Sequence, residues 1–104
     1  MTREIERLMK LRELTHDEEK VFVNDAINML NESFKRLLQD SREYLLTGEK
    51  GKFGRYDDIC TILQKLRNIS EKFQDEELVF PVLQNEKEAR VYLAKYGKEV
   101  ILNK

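Results

Sequence analysis

One cysteine, one proline, no tryptophan and four glycines among 104 residues leave this chain few places to be crosslinked, kinked or turned. With Cys60 alone, no internal disulfide closes and no cysteine-based zinc site assembles. Average usage is about 7% glycine and 5% proline, so a chain this poor in both is built from long elements, which favours helices. Neither sign of charge dominates. Lys and Arg number 19 against 20 Asp and Glu, a net charge of −1, which supplies no global field to draw the chain onto nucleic acid or anionic lipid. Unbroken apolar runs, Val21–Val23 and Val100–Leu102 among them, are a small fraction of the ~20 residues needed to span a bilayer. The start, Met1 to Arg7, is charged and helix-patterned, without the apolar stretch of a secretory leader. The expectation is a cytoplasmic protein without a membrane-spanning segment.

What is present is enough apolar material for one core. The 40% apolar content, beside 38% charged residues of balanced sign, excludes the low-hydrophobicity, high-charge composition of disordered chains. Residues 1–104 read as a single helical domain. Arg3 to Leu14 places Ile5, Leu8, Met9 and Leu11 near helical spacing. Thr15-His16-Asp17-Glu18 has the pattern of a capping box, with Thr15 and Glu18 satisfying each other's backbone N–H. A second helix then runs from His16 to Leu46. Val23, Ile27, Leu30, Phe34, Leu37 and Leu45 keep its inner face, with Ser41 on the same stripe, and Ala26 and Leu38 are expected to widen it.

Residues 47–54 hold three of the four glycines and read as a loop. A third helix follows from Arg55 to Phe73, with Ile59, Ile62, Leu63, Leu66, Ile69 and Phe73 inward. Phe80-Pro81 disfavours helix at Phe80, so Leu78 to Leu83 is expected to be extended. Asn85-Glu86-Lys87-Glu88 is a second capping-box pattern, opening a short helix with Ala89, Tyr92, Leu93 and Tyr96 inward and Gly97 as its C-cap. The fold expected is all-α: a bundle of three main helices with a short C-terminal fourth helix and a short extended or irregular tail.

Chemistry is hard to assemble from these residues. Glu13-Leu14-Thr15-His16 matches the Glu-x-x-His of di-iron bundles, but that site needs two such motifs plus a Glu from each of two other helices, and His16 is the only histidine. A catalytic dyad would need the same His16, which stands in a first helical turn. The acidic clusters at residues 17–19, 57–58 and 75–77 each fall at an expected helix start, where capping and the helix dipole account for them. No phosphate-binding glycine loop is present. The sequence therefore assigns no catalytic, cofactor-binding or metal-ligating residue, and the chain reads as a non-enzyme that uses no cofactor.

Two surface features remain. At about 100° per residue, Asn24, Asn28, Asn31, Lys35 and Arg42 fall in one sector beside the apolar face of the long helix, a candidate hydrogen-bonding surface for a partner. The glycine-rich loop sets Lys50, Lys52 and Arg55 around Phe53, a pattern of basic residues and a stacking ring that suits nucleic acid. The function expected is that of a small accessory or regulatory protein acting by protein–protein interaction. The alternative is a nucleic-acid-associated module using residues 48–56. Because the second helix outruns the third, its end and the apolar tail are expected to pack on a second copy as a two-fold homodimer.

Overall fold

A computed structural model describes the backbone of residues 3–47 and 56–102 and, within these, the side chains of residues 3–39 and 58–101. Four helices follow one another: α1 (Glu4–Leu14), α2 (Asp17–Thr47), α3 (Tyr56–Glu71) and α4 (Glu86–Leu102), with a single 3₁₀ turn at Glu76–Leu78 between the last two. No strand occurs among the described residues. The all-α bundle expected from the sequence is the observed fold, and among the described residues no helix is long and apolar enough to cross a membrane.

The two longest helices form the centre. α2 and α4 make the most extensive pairing, α1 packs against both, and α3 also packs against both. Asn31 meets Tyr96 and Phe34 meets Gly97 along the α2–α4 seam. The 31 residues of α2 correspond to about 46 Å of helix, and the molecule's longest dimension is 46 Å. The core unites Leu8 and Leu11 of α1 and Val23, Ala26, Ile27, Leu30 and Leu37 of α2. Ile59, Ile62, Leu63 and Leu66 of α3 join them, with Ala89, Tyr92, Leu93 and Tyr96 of α4. These are the apolar faces that the 3.6-residue period selects.

The α1–α2 corner departs from a capping box. Thr15 is buried, its hydroxyl donates to the carbonyls of Leu11 and Arg12, and its N–H bonds to Leu11 O at 3.1 Å. The Thr15 N–H that the Glu18 carboxylate would accept from in the expected box is thus spent closing α1, and the hydroxyl turns back onto α1 as a donor. Asp17 then opens α2 at a left-handed φ of 55°, a region that aspartate tolerates better than most residues. The chain therefore reverses across only Thr15 and His16.

After α3, Gln74 takes a φ of 48°, the left-handed position that commonly ends a helix. Asp75 caps the 3₁₀ turn by accepting from Glu77 N–H at 2.9 Å. Residues 79–84 run without regular structure, and exposure alternates along them. Leu78 and Phe80 are buried while Val79 and Val82 are exposed. Leu78, expected to be extended, belongs to the 3₁₀ turn, while residues 79–83 are extended in character and pair with no strand among the described residues. The turn and the segment after it are each pinned at a carbonyl: Arg7 Nε donates to Glu77 O at 3.0 Å, and Arg67 Nη1 to Pro81 O at 2.8 Å.

The capping pattern at α4 forms with a shift. Asn85 Oδ1 accepts from Glu88 N–H at 2.9 Å, but the Glu88 carboxylate reaches Gln84 N–H, one residue earlier than a capping box requires. The helix it opens is not short. α4 spans 17 residues and passes through Gly97, which is not a C-cap, and takes in residues 98–102 expected as an extended tail. The reason is a contact. A Cβ at position 97 would fall within the Phe34 ring, so the glycine answers to close approach of α2 rather than to chain termination.

Candidate functional site

The polar sector of α2 does not form one free surface. Asn24 and Asn28 are exposed. Asn31 is half-buried, and its Oδ1 accepts the Tyr96 hydroxyl at 2.6 Å. That bond satisfies a phenol whose ring is fully buried, and burial pushes the Tyr96 hydroxyl up to a pKa of about 12. Asn31 is therefore a structural residue joining α2 to α4. Lys35 is exposed and pairs with Glu32 one turn earlier at 3.5 Å. The Arg42 side chain lies outside the described residues. Leu38, expected to widen the apolar face, is 53% exposed instead.

Lys50, Lys52, Phe53 and Arg55 also lie outside the described residues. His16 is exposed. Among the described residues no three His, Cys, Asp or Glu side chains converge in a way that would hold a metal ion.

The structure assembles a different feature, one that spacing along the sequence does not single out. A groove of about 590 Å³ runs between the segment Pro81–Leu83 and the outer side of α4, lined by Val82, Val91, Lys87 and Lys95 with Tyr92 and Glu4 at its base. Each wall carries an exposed aliphatic, Val82 at 60% and Val91 at 64% accessible, among polar residues that include Asn85 and Glu88. Isolated exposed aliphatics are ordinary on a soluble protein. Two of them lining one groove are a patch.

The base of the groove is built by α1. Glu4 is buried, its Oε1 accepts from Arg7 Nη1 at 2.7 Å, and Lys95 Nζ stands 4.0 Å away. α4 reciprocates, since Glu99 Oε2 accepts from Ile5 N–H at 3.3 Å in the first turn of α1, where backbone donors lack intrahelical partners. Tyr92 lies against Glu4. Burial first, and then the Glu4 charge, push its hydroxyl far above the ordinary phenol value. Neither Tyr92 Oη nor Glu4 Oε2 completes a hydrogen bond.

Once Ala89, Tyr92, Leu93 and Tyr96 are assigned inward, Val91 is an aliphatic residue left on the opposite side of α4, on the same outer stripe as Ala94 and Ile101, which lie outside the groove. No family model matches this chain, and no curated protein or solved structure is significantly similar to it.

Proposed function

We propose that this chain is a small, non-catalytic, cytoplasmic accessory protein that acts by binding another protein, and that it does so through the groove between residues 81–83 and α4. The observation that carries the reading is the joint exposure of Val82 and Val91 on the two walls of one groove. Burying two such side chains contributes about 1.5–3 kcal/mol each, enough to matter in a modest interface. Asn24, Asn28 and Lys35, which remain on the free face of α2, and Arg42 are a secondary polar contact surface in this reading.

Capture of partners from the cells that make the protein tests the proposal, with wild-type and Val82→Glu/Val91→Glu baits compared by quantitative mass spectrometry. Both positions are exposed, so the variant is expected to keep the helical circular dichroism of the wild type. The expected result is a protein retained by the wild-type bait and lost from the variant. Equal retention by both baits would contradict the proposal.

The homodimer expectation rests on the end of the long helix, on Leu78–Leu83 and on the apolar tail; of these, the tail residues 98–102 complete α4, and Val100 packs against the core.

A further inference from the structure

We infer that the partner element seated on this face is an acidic amphipathic helix, whose aliphatic residues enter the groove and whose carboxylates meet three lysines of α4. The inference rests on the protein-binding reading above and specifies the chemistry of the occupant.

Three observations carry it. The first is spacing. Lys87, Val91, Ala94, Lys98 and Ile101 follow one another at intervals of four, three, four and three residues, and all are exposed. That is the seam spacing on which one helix packs along another. With Val91 and Ile101 more than half accessible and a small Ala94 between them, the stripe presents two aliphatic ridges around a low point. From Lys87 to Ile101 the stripe extends about 21 Å, the length of four helical turns.

The second is charge. α4's own carboxylates are engaged within the protein. Glu86 pairs with Arg90, Glu88 accepts from Gln84 N–H, and Glu99 accepts from Ile5 N–H. Lys87 and Lys98 form no ion pair with a described residue, and Lys95 has only the buried Glu4 at 4.0 Å. The outer face of α4 is thus locally basic on a chain whose net charge is −1. Complementary potential is what steers and orients a partner.

The third excludes the nearest competitor. A second copy of the chain docked by two-fold symmetry would present the same patch to itself, setting Lys87, Lys95 and Lys98 of each copy against a face with the same charge. Like-charge juxtaposition of this kind disfavours self-association. Val82, on the opposite wall of the groove, extends the aliphatic surface sideways and gives the incoming helix a second line of contact.

The test is selection from a phage-displayed library of random peptides about 16 residues long, the length of a four-turn helix. It is run in parallel on the wild-type protein and on the Lys87→Glu/Lys95→Glu/Lys98→Glu variant. Wild type is expected to enrich peptides of net negative charge with aliphatic residues at three- and four-residue intervals. Those peptides should bind at least about tenfold more weakly to Val91→Glu and weaken as salt is raised. The charge-reversed variant is expected to enrich basic peptides of the same aliphatic spacing, an outcome that loss of folding would not produce. Enrichment without acidic bias on the wild type, or indifference of the selected peptides to Val91→Glu, would overturn the inference. The capture experiment separates the two levels: partner loss on Val82→Glu/Val91→Glu without acidic selection refutes only the acidic helix, while capture indifferent to those substitutions refutes the binding site itself.

Discussion

Replacing Leu66 with alanine is expected to destabilise the protein by about 2–5 kcal/mol through lost burial and the cavity left behind. Leu66 is fully buried on the inner face of α3, where α3 packs on both α2 and α4, so no single neighbour can collapse into the space. For a domain of this size such a loss lowers the melting temperature by on the order of 10–20 °C, against a total stability of about 5–15 kcal/mol. Leu38→Ala is the internal contrast. Leu38 lies on the helix expected to carry the core but is 53% exposed, so its truncation should stay near the ~0.5 kcal/mol of surface sites. Urea unfolding of both variants decides the assignment. Similar costs at the two positions would mean that the inner faces of α2 and α3 are misplaced.

Gly97→Ala should destabilise the protein although alanine is the better helix former. In an open helix interior this exchange gains about 1 kcal/mol. Here the added methyl falls within the Phe34 ring, which must swing out of the α2–α4 seam, and overpacking of that kind costs about 1–3 kcal/mol. The sign should reverse once the obstacle is gone: in a Phe34→Ala background, Gly97→Ala is expected to stabilise. A double-mutant cycle read by denaturant midpoints measures this coupling directly. Stabilisation by Gly97→Ala in the otherwise wild-type protein would show that α2 and α4 do not approach at this point.

These two variants also mark where the sequence was legible. The inner faces of α2 and α3 follow from periodicity alone, because burying an apolar stripe contributes most of the free energy that holds a helix in place. Thr15 and Gly97 mislead for one shared reason: each has two physical uses. A threonine between helices serves the end of one as readily as the start of the next, and only the tertiary corner decides that Thr15 closes α1. A glycine late in a helix fits a C-cap, but it also fits a site where another helix comes close, and Phe34 belongs to a helix more than sixty residues away.

Asn31 shows the same limit. Its place in the polar sector of α2 is evident from spacing, yet its hydrogen bond to Tyr96 depends on α2 and α4 lying side by side. The groove was least legible of all. Val82 and Val91 come from separate segments, and nothing local to either predicts that they face one another. The outward stripe of α4 was readable in principle, as the remainder left after the core residues are removed.

The central claim is that another protein docks on α4 beside residues 81–83, and site-specific photocrosslinking tests it most directly. A photoreactive phenylalanine derivative replaces Val91 in one form of the protein and exposed Gln64 of α3 in another, and each is irradiated in the cells that make the protein. The account predicts a discrete heteromeric adduct from position 91 and none of that mass from position 64. An adduct pattern identical at the two positions, or no adduct from position 91 beside a discrete one from position 64, would contradict it.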